Sequence, residues 1–175
     1  MSIKTIFLDR DGVINKEVQY LHKIKDFIFH DGVFKACLHF QNLGYKIIIV
    51  TNQSGIARGY YSASAFQNLS AWMLECFEEN NIRILDIFHC PHDEQSNCEC
   101  RKPKPGMLLE AQYKYDIDMQ KSWLIGDKEV DIIAANRADI TNTILVKSGH
   151  KINEADSNAK HILDSIYQSN KVILN

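Results

Sequence analysis

The chain has 175 residues, 45% of them hydrophobic, and its 20 Lys and Arg against 22 Asp and Glu leave a formal net charge of −2. That apolar content suffices for one sizeable core and argues against disorder, while the near-neutral balance gives no basic footprint for nucleic acid. No apolar stretch approaches membrane-spanning length, and five cysteines, an odd number, fit metal binding and free thiols better than a disulfide framework. Met1–Lys4 runs straight into the first apolar segment with no secretory leader, so one cytosolic domain over residues 1–175 is expected.

Thr5–Leu8 reads as a strand that stops on Asp9-Arg10-Asp11-Gly12. A polar excursion from Asn15 to Phe29 follows, and then Asp31-Gly32 opens a helix from Val33 to Leu43 that Gly44 can end. Lys46–Val50 is a second β-branched run, closing on Thr51-Asn52-Gln53-Ser54-Gly55. Ser62 can cap a longer helix whose Phe66, Leu69, Met73, Cys76 and Phe77 share one face, which reads as core. Ile84–Phe88 reads as a strand and Met107–Tyr115 as a helix. Trp123–Ile125 is a strand ending in Gly126-Asp127, Glu129–Arg137 a helix and Thr143–Val146 a strand. His161–Leu163 adds an edge strand before Asp164, placed to cap a last helix. Strands alternating with helices imply an α/β fold: a doubly wound parallel sheet with helices on both faces. No long insertion separates the motifs, so there is no room for a large cap domain. The Asn15–Lys25 segment and the cysteine-rich loop must then shape the pocket.

The chemistry gathers where strands end. Asp9 and Asp11, two apart, would lean to one side of the chain with the intervening residue pointing away, and two like charges that close call for a hard divalent cation such as Mg²⁺. Thr51 ends the second run with a hydroxyl, Asp127 and Asp131 follow the Trp123 run four apart, and Arg101-Lys102-Pro103-Lys104-Pro105-Gly106 holds cations in a stiff loop. Ligands of an open parallel sheet bind outside the carboxyl ends of its strands, so these pieces can converge on one crevice. Cys90-Pro91-His92 and Cys98-Glu99-Cys100 supply four soft or borderline ligands, enough for a closed zinc site. Their single-residue spacers are shorter than in familiar zinc knuckles, so spacing alone leaves zinc and free thiols both open. Cys37 and Cys76, among apolar neighbours, read as buried thiols.

The ordered set Asp9-x-Asp11-Gly12, Thr51, Lys102 and Gly126-Asp127-x-x-x-Asp131 resembles the four signature motifs of the haloacid dehalogenase superfamily of phosphohydrolases. More narrowly, Phe7–Gly12, Thr51–Gly59 and Cys98-x-Cys100-Arg101-Lys102-Pro103-x-Pro105-Gly106-Met107 resemble the heptose bisphosphate phosphatases and their relatives, the histidinol phosphate phosphatases. The likeness implies an Mg²⁺-dependent phosphatase. Asp9 would attack phosphorus to form an aspartyl-phosphate, Asp11 would act as general acid and base, and Thr51 and Lys102 would stabilise the phosphoryl oxygens. Mg²⁺ would be held by Asp9, the backbone carbonyl of Asp11 and Asp127. Asp131 either ligates through water or orients Lys128. The likeness also tips Cys90, His92, Cys98 and Cys100 towards structural Zn²⁺, a clip that would fix Arg101 and Lys102 at the crevice mouth.

The expected substrate is a small sugar phosphate, bound by Asn52, Gln53, Ser54, Arg58, Arg101 and Lys128, with the chain acting as a monomer. Spare cations beyond Lys102 favour a bisphosphate, and the Gln53–Gly59 loop matches the heptose branch. The five residues between His92 and Cys98 instead resemble the histidinol branch. Two readings outside catalysis stay open: a phosphorylation-dependent receiver, whose acceptor aspartate would sit on a middle strand, and a zinc-dependent interaction module, which leaves Asp9 and Asp127 without a role.

Overall fold

The computed structural model describes residues 2–174. Six strands, β1 (Thr5–Leu8), β2 (Lys46–Asn52), β3 (Ile84–Cys90), β4 (Trp123–Gly126), β5 (Asn142–Val146) and β6 (His161–Leu163), form one sheet in the order β3-β2-β1-β4-β5-β6. Every neighbouring pair is parallel. From β1 the chain builds outward through β2 and β3, then returns to place β4 on the other side of β1. The order therefore reverses beside β1, and a crevice opens there at the strands' carboxyl ends.

Alternation along the strands divides the core into two layers. Ile6, Leu8, Ile47, Ile49 and Ile125 point to the face covered by α1 (Val33–Asn42) and α2 (Ala63–Glu79), meeting Val33, Phe40, Leu69, Met73 and Phe77. Phe7, Ile48, Val50 and Leu124 point the other way, onto α3 (Gly106–Tyr115) and α4 (Glu129–Arg137), meeting Met107, Leu108, Ala111, Ile132 and Ala135. Runs with no polar alternation are what a sheet buried on both faces demands. All the expected elements but the last helix are therefore present, with some boundaries moved. β2 continues through Thr51 and Asn52, and β3 through Cys90, because Thr51 pairs with His89 and Asn52 with Cys90 beyond the apolar run.

Ser62 caps α2 as expected, its side chain accepting from the Ala65 backbone N–H. Two expectations fail. Asp164 caps no α-helix: Ile166–Lys171 is a 3₁₀ stretch, and the Asp164 carboxylate accepts from the Gln168 side-chain amide instead. Cys37 is fully buried, but Cys76 is only half-buried, since α2 turns that position towards the rim of its apolar face.

The Asn15–Phe29 excursion is a wall hung on the core. Backbone bridges join Asn15 to Asp11 and to Phe29. At its far end Phe27 and Phe29 pack edge-on or tilted against Trp72, with ring centroids 5.3 and 5.9 Å away, and Phe29 also meets Phe34 and Phe77. The backbone bridges hold one end of the segment and these aromatic contacts the other, while Glu17–Leu21 face the crevice.

Candidate active site

The crevice is a cleft of about 260 Å³ lined by the ends of β1, β2 and β4, the Glu17–Leu21 wall and the loop after β3. Asp9, the first residue past β1, is nearly buried. Its Oδ1 accepts the Arg10 backbone N–H at 2.8 Å and lies 3.1 Å from Lys102 Nζ. Lys102, also buried, contacts Asp131 Oδ1 at 2.6 Å and donates to the Val50 carbonyl at 2.9 Å. Burial alone would lower the Lys102 ammonium, but the carboxylates of Asp131 and Asp9 outweigh it and hold the group above its usual range. Asp9 is pushed well up, first by burial and then by Asp131, Asp127 and Asp11, against the opposing pull of Lys102. One ammonium cannot neutralise that many carboxylates.

Asp127 shows where the missing charge belongs. It is fully buried, and its Oδ2 accepts the backbone N–H of His150 at 3.0 Å and the ring Nδ1–H at 2.6 Å. Its Oδ1 is buried without a hydrogen-bond partner. Two glycines make this approach possible: a Cβ at Gly12, where φ is +87°, or at Gly149 would collide with the Asp127 carboxylate. Oxygens of Asp9, Asp127 and Asp131 lie within 4.8 Å of one another. A cluster of hard oxygen donors with an orphaned buried carboxylate oxygen fits Mg²⁺.

Asp11 is held differently. Arg10, expected to point away, is 1% exposed and turns back on it, donating from Nε at 3.1 Å and from Nη2 at 3.0 Å to both carboxylate oxygens. Asn15 Nδ2 and Gln53 Nε2 donate to Asp11 as well. Gln53 also donates to Thr51 Oγ1 at 2.8 Å and accepts from the Tyr61 hydroxyl, so it joins the two catalytic candidates through one amide. Burial holds the Tyr61 hydroxyl up at about 12, so it remains a donor.

The remaining expected residues divide by what occupies them. Asn52 lines the cleft, and its amide also engages the backbone of Lys102, donating to the carbonyl and accepting from the N–H, both at 3.1 Å, which leaves one N–H and one lone pair unused. It fastens the Lys102 loop to β2. Asp131 engages Lys128 through the backbone: its Oδ2 accepts the Lys128 N–H at 3.0 Å, capping α4, while Oδ1 serves Lys102. Ser54, Arg58, Arg101 and Lys128 line the cleft.

Cys90, His92, Cys98 and Cys100 come together behind Arg101. Cys90 Sγ is 3.1 Å from Cys100 Sγ and 3.6 Å from Cys98 Sγ, and His92 Nδ1 is 3.3 Å from Cys100 Sγ. Ligands 2.0–2.3 Å from a tetrahedral zinc stand roughly 3.3–3.8 Å apart, so the set fits. Burial would raise the Cys98 thiol, but the Arg101 backbone N–H and the neighbouring thiols bring it down to about 7, whereas burial pushes Cys90 up. His89 lies outside the set, its ring 4.3 Å from that of Phe66.

Tyr61 and His150 on the cleft wall, and the buried Arg10 behind Asp11, have roles that motif reading passes over, whereas Glu17 falls in the segment expected to shape the pocket. His150 follows β5, and the rule that ligands gather at strand ends, applied to that strand too, would have found it.

Residues 99–169 match the HAD-hydrolase-like family model. A D-glycero-α-D-manno-heptose-1,7-bisphosphate 7-phosphatase of Photorhabdus laumondii is 51% identical over 164 residues, 90% of each chain. The chain belongs to the heptose-bisphosphate phosphatases. A second Photorhabdus laumondii protein, described for the β anomer, is 43% identical over 98% of this chain and 95% of its own. In three dimensions the fold matches the D,D-heptose 1,7-bisphosphate phosphatase of B. bronchiseptica, complexed with magnesium and phosphate, with a TM-score of 0.85, 27% identity and 97% of both chains covered. The family accounts for a HAD-type hydrolase built on this doubly wound sheet. Among the described residues no helix is long and apolar enough to cross a membrane.

Proposed function

We propose that this chain removes the C7 phosphate of D-glycero-D-manno-heptose 1,7-bisphosphate through a phosphorylated Asp9. The observation that carries this reading is that the buried Asp9–Lys102–Asp131 array and a rim bearing Arg58 and Arg101 share one cleft, so a substrate with two phosphates finds cations for both. Asp9 attacks phosphorus, held by the Arg10 N–H and Lys102, while Thr51 and Lys102 contact the phosphoryl oxygens as charge spreads over them. Asp11 protonates the leaving sugar oxygen and later takes a proton from the attacking water, its carboxylate fixed by Arg10, Asn15 and Gln53. Asp9, Asp127 and the Asp11 carbonyl would hold Mg²⁺, which neutralises the crowded carboxylates and the phosphoryl group. Cys90, His92, Cys98 and Cys100 would hold structural Zn²⁺.

The α anomer is the preferred substrate on this reading, because within one organism the relative described for α is 51% identical and that described for β 43%. On the same reading the chain works as a single catalytic domain, as a monomer and in the cytoplasm. The test is kcat/KM for the α and β heptose bisphosphates and for histidinol phosphate. The expected order places the α bisphosphate first, and a preference for histidinol phosphate overturns the substrate assignment.

A further inference from the structure

Arg58 lies in the loop after β2 and Arg101 directly after the last cysteine of the zinc cluster, yet both end on one side chain. Glu94 Oε2 is 2.7 Å from Arg58 Nη2, and Glu94 Oε1 is 2.5 Å from Arg101 Nη2. The backbone under Glu94 is not loose. Asp93 caps the Glu94–Ser96 turn, its Oδ1 accepting the Gln95 N–H at 3.1 Å and the Ser96 hydroxyl at 2.7 Å, and His92 and Cys98 of the cluster flank the turn. The side chain itself is 61% exposed, so it can leave its partners without a desolvation barrier.

A carboxylate that gives one oxygen to each of two guanidinium groups offers the pronged geometry by which a phosphate binds an arginine pair. We propose that Glu94 is a specificity-determining residue: in the free enzyme its carboxylate occupies the anion position between Arg58 and Arg101, and the uncleaved phosphate of a bisphosphate takes that position over. This rests on the bisphosphate reading above. A phosphate dianion with three acceptor oxygens displaces a singly charged carboxylate, so the rim exchanges one anion for another. A monophosphate bound at Asp9 leaves the pair shut and gains nothing from it. Removing the Glu94 charge removes the competitor more than it disorders the site, because Arg101 keeps its second anchor, the His92 carbonyl 3.3 Å from Nη1.

The experiment compares wild type with Glu94→Gln on heptose 1,7-bisphosphate and on p-nitrophenyl phosphate, with zinc content and Tm as controls for the fold. The variant should lower KM for the bisphosphate by about three- to tenfold, the range of one or two exposed ion pairs that no longer compete, with kcat and the monoester reaction unchanged. An unchanged KM makes Glu94 a solvated rim charge, and a raised KM makes it the holder of the arginines; either overturns the proposal. A parallel arm keeps the substrate reading separate: fructose 1,6-bisphosphate and fructose 6-phosphate are tested as competitive inhibitors of p-nitrophenyl phosphate hydrolysis. Glu94→Gln should tighten inhibition by the bisphosphate alone. If it does so while wild type fails to cleave heptose bisphosphate, the substrate assignment falls and the role of Glu94 stands; if inhibition by the two sugars shifts equally or not at all, the role of Glu94 falls.

Discussion

Lys102 and Arg101 are neighbours in the chain, and their charges live in different media. The Lys102 side chain is 3% exposed and shared by two buried carboxylates, whereas Arg101 meets Glu94 at the open rim. On the floor of the cleft, taking one partner away leaves the other as an uncompensated charge in a poorly solvated place. At the rim water fills the gap, and the pair is worth little to the fold. The floor is therefore rigid and stability-coupled, and the rim is free to exchange partners.

The floor is tested most severely by Asp9→Asn, which keeps the shape and removes the attacking charge. Turnover should fall by roughly three powers of ten or more with the fold retained, as for loss of a nucleophile. Near-normal turnover by protein purified free of wild type would refute the mechanism. Lys102→Met strands Asp9 and Asp131 together and should cost about 3–5 kcal/mol in chemical denaturation. Adding Asp131→Asn should restore part of that stability and none of the activity; if the single variant loses nothing, the floor is no different from the rim. Between floor and rim, Cys98→Ser should lose zinc by elemental analysis and lower Tm by about 4–8 °C, the scale of ~2 kcal/mol in a chain of this size. Retained stability without zinc would detach the clip from the fold. Mild chelation should abolish turnover reversibly with Mg²⁺ while zinc stays bound. The smallest effect on stability belongs to Arg101→Ala: less than about 1 kcal/mol in denaturation, but a KM for the bisphosphate raised by about one to two powers of ten. A loss of stability as large as that of Lys102→Met would erase the distinction.

The floor was also the more legible region in the sequence. Its residues follow runs such as Thr5–Leu8 and Trp123–Ile125, whose unbroken apolar character marks strands covered on both faces, and strand ends locate ligands. Where pairing outlasts the apolar pattern, legibility stops: Thr51, Asn52 and Cys90 are strand residues by virtue of each other. Alternation sends position 10 away from Asp9 and Asp11, but the buried guanidinium of Arg10 turns back, held by partners as distant as Leu21 and Gln53. Asn52, expected at the cleft and found there, also holds a backbone fifty positions on, which no local pattern announces. Glu94 carries no motif at all, since an exposed acid in a short loop is ordinary until two arginines from separate segments meet on it.

The excursion after β1 bears on how such an enzyme can change its diet. Its bridge at Asn15 and its aromatic footing at Phe27 and Phe29 are fixed to the core; of the stretch between them, Leu21 gives its carbonyl to Arg10 and Glu17 lies 3.8 Å from His150, while Val18–Tyr20 line the cleft. Substitutions from Val18 to Tyr20 can therefore change the cleft wall while the contacts that hold Asp11 and Asp127 are kept. New sugars would be recruited by redecorating one panel, with no need to rebuild the hearth behind it.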